Sequence, residues 1–366
     1  MDLIDFRQNA LWLNLTTFAA AAAIVWLAGT RLSQYANAIA EQTGIGKAFL
    51  GALLLGGITS LPEFATTGTA AAAANAPLAV NNLLGGIAMQ VAVLALADAV
   101  LGRDALSSVI ARPVVLLLAT LDVLLLVMVA VGITVGDVAL LGVGGWTIAV
   151  LLLYVISIWL VRKYEAAPAW EIRDRPAPAG PRQVAATRAG GRELNRVVME
   201  PTHDAQKVQA STARLVLYTV AASVAILGGG FVLARTADAV ALQTGLGASF
   251  IGAALLPIAT SLPEMSTVIA AMRIRQYEMA FSNIFGTNLF DVSMVFFVDA
   301  IYAGAPVLNE VGRFSVVAAL LGAATTTVYL AGLIERRDRT VLRMGFDSLV
   351  VLVIYFGGVF LLYRLR

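Results

Sequence analysis

The chain has 366 residues, of which 59% are hydrophobic and only 13% charged, with a mean hydropathy of +0.84; soluble domains carry about 25% charged residues, so a soluble fold is excluded. There is no cysteine and a single histidine, His203. This excludes disulfides, thiolate chemistry and any multi-histidine metal site. The net charge of +2 and pI near 9.0 are explained by basic loops rather than by a nucleic-acid partner.

Hydropathy predicts ten membrane spans. The first half supplies 11–40, 45–74, 77–101, 108–132 and 137–161, and the second half 212–242, 245–272, 277–302, 312–335 and 342–363. The apolar run from Leu11 lacks a basic leader and a small-residue cleavage site, so it reads as a first span and not a signal peptide. Between the halves, residues 163–211 are polar, Pro- and Arg-rich and without an apolar face, which predicts a solvated tether. They hold no acidic cluster of the kind a Ca²⁺ sensor needs. The expected organisation is therefore 1–162 as a five-helix repeat, 163–211 as linker, and 212–366 as a second repeat.

If the linker is cytoplasmic, it and the loops after spans 1, 3, 7 and 9 hold 20 of the 25 Lys and Arg residues. That satisfies the positive-inside rule and puts both termini on the extracytoplasmic side. Five spans per half is an odd number, so the second half enters the membrane from the opposite face. The predicted fold is an all-α integral membrane protein, ten transmembrane helices arranged as two inverted five-helix repeats.

The repeat is visible in the letters. Residues 42–63 (QTGIGKAFLGALLLGGITSLPE) and 243–264 (QTGLGASFIGAALLPIATSLPE) agree at 14 of 22 positions, at a constant offset of 201. Each copy ends in Thr-Ser-Leu-Pro-Glu: Thr59, Ser60, Pro62 and Glu63, then Thr260, Ser261, Pro263 and Glu264. Pro62 and Pro263 lack an N–H, so the carbonyls of Ile58 and Ala259 lose their helical partners. Irregular backbone at membrane depth is tolerated only where it faces protein or a water-filled cavity. Carbonyls, hydroxyls and a carboxylate at such a break form an all-oxygen set suited to hard cations such as Ca²⁺ or Na⁺. For the proline alone, a simple kink is the bland alternative, and a lone Ser or Thr often only bonds its own helix. Two matched buried carboxylates are harder to explain structurally, because each costs several kcal/mol in a bilayer.

Spans 3 and 8 repeat at the same offset. VNNLLGGIAMQ (80–90) aligns with FSNIFGTNLFD (281–291), pairing Asn82 with Asn283 and Gly85 with Gly286. Gly86, Ile87 and Gln90 stand opposite Thr287, Asn288 and Asp291. Thr287 and Asp291 share one helix face, and Asp291 is a third intramembrane carboxylate. The glycines predict close helix packing. Asp98 and Asp299, near span ends, predict interfacial or capping roles, and Asp347 an interfacial one. Asp122, alone in span 4, is left open between a basic partner and a pathway.

The duplicated TSLPE, followed by Asn-x-x-Gly-(Ser/Thr)-Asn-x-x-(Asn/Asp), resembles the α-repeats of the cation/Ca²⁺ exchanger superfamily, in particular prokaryotic Na⁺/Ca²⁺ exchangers. The resemblance spans both halves and spares the linker. It implies electrogenic antiport of Na⁺, or in some branches H⁺, against Ca²⁺ by alternating access. Carried over, Glu63 and Glu264 are the principal Ca²⁺ carboxylates and Thr59 and Thr260 supply oxygens. Ser60, Ser261, Thr287 and Asp291 match positions that hold the exchanged Na⁺, and Asn82, Asn283 and Gln90 fall within the same motifs. The Ala- and Gly-rich spans 1 and 6 resemble the pair that slides during transport. The first repeat departs from the pattern at Asn81, Gly86, Ile87 and Gln90, which leaves the driving ion and its stoichiometry open.

Other classes fit less well. A membrane serine hydrolase needs a base, and no histidine lies in a span. A passive cation channel also uses carboxylates, but inverted repeats with broken helices favour a carrier. No cofactor is expected. The expected partners are the lipid bilayer and the transported Ca²⁺, Na⁺ or H⁺, with no nucleic acid, in a bacterial or archaeal inner membrane; a monomer is compatible with the sequence.

Overall fold

The computed structural model describes residues 6–43, 60–101, 113–166, 211–273, 277–335, 340–341 and 344–366. Thr59, Ile58, Lys47 and most of the 163–211 linker lie outside the described residues. The helices are α1 (Leu11–Thr43), α2 (Leu61–Ala72), α3 (Ala76–Leu101), α4 (Pro113–Val135), α5 (Gly145–Ala166) and α6 (Thr212–Thr244). After them come α7 (Ala248–Thr260), α8 (Leu262–Arg273), α9 (Tyr277–Ile301), α10 (Arg313–Glu335) and α11 (Phe346–Leu365). Among the described residues eight helices are long and apolar enough to cross a membrane, and α7 with α8 forms a ninth span bent by 49°. α2 is the described part of the remaining span. The chain is an all-helical, multi-pass membrane protein built from two inverted repeats.

The repeat is as regular in space as in sequence. α1 maps onto α6, and α2 onto α8, at the offset of 201 at both ends. Contacts exchange between the halves in the same way. Asp98, at the end of α3, accepts hydrogen bonds from Gly345 N (2.8 Å) and Ser348 Oγ (2.6 Å). Its counterpart Asp299 accepts from Gly144 N (2.6 Å) and Thr147 Oγ1 (2.7 Å). Residue pairs that swap in this way are what a two-fold relation produces.

Those amides belong to two antiparallel hairpins, which replace predicted helix at the starts of spans 5 and 10. β1 (Ala139–Leu140) pairs with β2 (Val143–Gly144), and β3 (Thr340–Val341) with β4 (Met344–Gly345). Leu141 and Gly142, at φ 57° and 87°, form a tight turn with two left-handed residues that a helix cannot contain. Asp98 and Asp299 are thus buried caps and not interfacial groups. The described part of span 4 begins at Pro113, whose fixed φ and missing N–H suit the first turn of a helix; residues 108–112 of the predicted span lie outside the described residues.

α3 is the central element, its membrane window wholly buried, whereas only 17% of the α5 window is. α10 packs on both α3 and α4, α4 packs also on α9, and α1 packs along α6 on the outside of this core. Outward faces carry large apolar side chains such as Trp26, Leu27, Phe356 and Phe360, as lipid contact demands. The N-terminal turn Phe6–Gln8 is tied to α6 through an Arg7–Asp238 ion pair of 2.8 Å, and Asp238 also accepts from Asn75 at the α2–α3 turn.

Candidate functional site

The site begins with the two helix breaks. Ser60 is the N-cap of α2, with Pro62 in the first turn, so Glu63 sits at a helix N-terminus. Glu264 occupies the same position in α8. A helix start presents free N–H groups and a positive dipole end, which stabilises a carboxylate by about 0.3–1 kcal/mol at the surface and by up to ~2 kcal/mol when partly buried. The second break has an added device. Pro257 cannot donate to Ala253, and the chain opens there into a π turn, Ile251–Leu255, before the bend at Ser261. Gly85 of α3 packs on this turn so closely that a Cβ there would overlap the Ala253 backbone, and a Cβ on Gly252 would come within 2.8 Å of Leu78 O. The predicted role of Gly85 in close packing is thus realised against an irregular segment, which fixes the depth of the second break beside α3.

Glu63, Glu264 and Asp291 are all buried, as are Ser60, Thr260, Ser261, Thr287, Asn82 and Gln90. The centre of the site is a chain of hydrogen bonds that crosses between the repeats. Ser261 Oγ donates to Glu63 Oε1 at 2.9 Å. Gln90 Nε2 donates to Ser261 Oγ at 3.3 Å and to Asp291 Oδ2 at 3.2 Å. The order is fixed by chemistry: the serine has one proton, which goes to the carboxylate, so it accepts from the amide. Thr260 lies beside Glu63, and Ser60 lies near Asp291 without a well-aligned hydrogen bond. The structure therefore brings together Ser60, Glu63, Gln90, Thr260, Ser261 and Asp291, drawn from both repeats.

Asn82 and Asn283 are placed differently. Each donates from Nδ2 to a threonine of the preceding helix, Asn82 to Thr66 (3.2 Å) and Asn283 to Thr267 (3.0 Å). These threonines in turn donate to the carbonyls of Glu63 (3.0 Å) and Glu264 (2.8 Å). The asparagine amides thus brace the first turns of α2 and α8 and orient the two glutamates from behind. Thr66 and Thr267 are matched at the offset of 201; that shared spacing was the available signal for them.

Several oxygens at the centre are buried without a hydrogen-bond partner among the described residues: Ser60 Oγ, Glu63 Oε2, Gln90 Oε1, Thr287 Oγ1 and Asp291 Oδ1. Buried polar oxygens cost free energy unless something satisfies them. No lysine or arginine is buried among the described residues, so no basic side chain there offsets the carboxylates. No three acidic or imidazole groups converge there either. Any cation held at the centre would draw on hydroxyl, amide and carboxylate oxygens together.

Asp122, on α4, has no basic partner among the described residues. It is buried, accepts from Thr326 Oγ1 at 3.1 Å, and lies against Asn288.

Similarity to known proteins follows the same lines. The profile of the sodium/calcium exchanger protein family matches residues 13–163 and 214–364, one match per repeat. No curated protein matches the chain. Among solved structures, the sodium-calcium exchanger NCX_Mj soaked with 2.5 mM Na⁺ and 0.1 mM Sr²⁺ superposes with a TM-score of 0.58 at 16% identity, covering 95% of this chain and 98% of that one. The H⁺/Ca²⁺ exchanger CAX superposes with a TM-score of 0.65 at 14% identity, covering 96% and 85%. With both repeats matched by one profile, the chain belongs to the sodium/calcium exchanger protein family.

Proposed function

We propose that this protein is a secondary antiporter that exchanges Ca²⁺ for Na⁺ across the membrane by alternating access. The observation that carries the reading is the Ser261–Glu63 hydrogen bond, in which the helix break of one repeat grips the carboxylate at the break of the other. Glu63 and Glu264 take the divalent ion, with Thr59 and Thr260 adding oxygens. Ser60, Ser261, Thr287 and Asp291 serve the coupling ion, and Gln90 links the two sets. Asn82 and Asn283 hold the glutamate-bearing turns in place. Repeats 1–162 and 212–366 form the carrier around the 163–211 linker, and α1 with α6 forms the outer pair that moves over the core. The excess of basic residues on the linker side supports a cytoplasmic linker, with both termini outside an inner membrane.

A second reading takes H⁺ as the coupling ion. It rests on Gly86 and Gln90, which leave the first repeat without the hydroxyl and the carboxylate that Thr287 and Asp291 supply in the second. Uptake of radiolabelled Ca²⁺ into proteoliposomes under an imposed Na⁺ gradient, then an H⁺ gradient, separates the two. Na⁺-driven uptake that Glu63→Gln and Glu264→Gln both abolish is the expected result. Uptake with H⁺ alone would select the second reading, and no Ca²⁺ flux under either gradient would sink both.

A further inference from the structure

Three polar residues sit beside the central site and have no polar match in the other repeat. Asp122 on α4, Asn288 on α9 and Thr326 on α10 stand, at the offset of 201, opposite Ala323, Ile87 and Leu125. The pseudo-symmetry of the core is broken here three times, each time in favour of an oxygen-bearing side chain on the same flank. Scattered drift would not be expected to place all three together.

Their geometry is that of an incompletely satisfied polar cluster. Asp122 is fully buried, and only its Oδ2 is engaged, by Thr326. Its Oδ1 has no hydrogen-bond partner among the described residues, and neither end of the equally buried Asn288 amide makes a well-aligned hydrogen bond. Asn288 and Asp291 are three residues apart on α9 and so share a face, and Asp291 lies within electrostatic reach of Asp122. Burying two carboxylates near one another without a cation costs far more than burying one. With no lysine or arginine buried among the described residues, the side chains there do not supply that cation.

We infer that Asp122, Asn288 and Thr326 form an accessory site for a monovalent cation, Na⁺, flanking the central site and sharing Asp291 with it. The donor set is one carboxylate of its own, one amide oxygen and one hydroxyl. That suits a hard monovalent ion better than Ca²⁺, which gathers six to eight oxygens with several carboxylates. The site compensates for what the first repeat lacks. Gly86 and Ile87 have no side-chain oxygen, and Gln90, whose Nε2 donates to Asp291 and Ser261, offers only a neutral Oε1 where Asp291 offers a carboxylate. A coupling ion that two symmetric motifs would hold centrally is instead held to one side, by the repeat that kept Thr287, Asn288 and Asp291.

The inference rests on the exchanger reading for its physiological role, but its test does not need transport. The purified full-length protein in detergent is titrated with NaCl against choline chloride at constant ionic strength, then with CaCl₂, and thermal unfolding is followed. The parent is expected to gain stability with Na⁺ and with Ca²⁺. Asp122→Asn and Thr326→Val, both close to isosteric, are expected to weaken the apparent Na⁺ affinity on the order of tenfold while the Ca²⁺ response persists. A Na⁺ response unchanged in both variants would overturn the site. So would a parent without any Na⁺ response, or loss of the Ca²⁺ response in both variants, which would assign Asp122 to the divalent centre. A parent that Ca²⁺ does not stabilise would count against the exchanger reading, and the Na⁺ comparison would still decide this one.

Discussion

Ser261 and Glu63 are 198 residues apart in the chain and 2.9 Å apart in space. Each stands at the broken midpoint of its own repeat, so this one hydrogen bond reports how deeply the two breaks interpenetrate. Removing the hydroxyl, as in Ser261→Ala, strips a donor from a buried carboxylate and an acceptor from Gln90 at once. A buried group left unsatisfied costs about 1–3 kcal/mol. Reduced Ca²⁺ uptake with intact assembly is expected, measured by flux and by size-exclusion elution side by side.

Gln90→Leu should act on the other end of the same chain. It keeps the volume but leaves Asp291 Oδ2 without its amide donor. Thermal unfolding in detergent should register a loss of about 1–3 kcal/mol, and the coupling-ion dependence of uptake should shift more than the Ca²⁺ dependence. Equal shifts in both would count against a separate role for this pair.

Neighbouring glycines on α3 should respond in opposite ways. A Cβ on Gly85 would overlap the Ala253 backbone, whereas one on Gly86 would meet Pro257 Cβ at 3.9 Å, an ordinary contact. Gly85→Ala is expected to lower stability by about 1–3 kcal/mol through overpacking, and Gly86→Ser to fold normally. The serine would also restore the hydroxyl that Thr287 provides in the second repeat, so a changed Na⁺ dependence of uptake is the outcome to look for.

Arg7→Ala should do little. The Arg7 side chain is 63% exposed, and surface ion pairs contribute about 0–1 kcal/mol. A fall in melting temperature as large as that from Gly85→Ala would show that the N-terminal turn matters more than its exposure suggests.

Much of this architecture was legible in the residues themselves. The span count, the inverted plan and the TSLPE breaks follow from hydropathy, charge placement and a repeat of constant offset, because lipid leaves the backbone few choices. What escaped was set by contacts between distant segments. The starts of spans 5 and 10 are apolar enough to pass for helix, yet each opens on a pair of antiparallel strands, with Leu141 and Gly142 making the turn in span 5. Asp98 and Asp299 are capping residues as their positions suggested, but their partners lie in the opposite repeat, where no local pattern points. Asn82 and Asn283 sit in the central motifs and act from behind them, because their amides bond Thr66 and Thr267. Asp122 was visible as a lone acid in an apolar span; its neighbours Asn288 and Thr326 could be found only by folding the chain.

The exchanged hairpin caps bear on how the protein is made. Asp98 waits for Gly345 and Ser348, and the Gly144 amide waits for Asp299. During synthesis the first five helices therefore enter the bilayer with a buried carboxylate and a turn whose intended partners have not left the ribosome. The nascent first half must stay loosely assembled until nearly the whole chain is translated, and maturation becomes a late, concerted event. Separately expressed halves should consequently be short-lived alone and rescue each other when produced together.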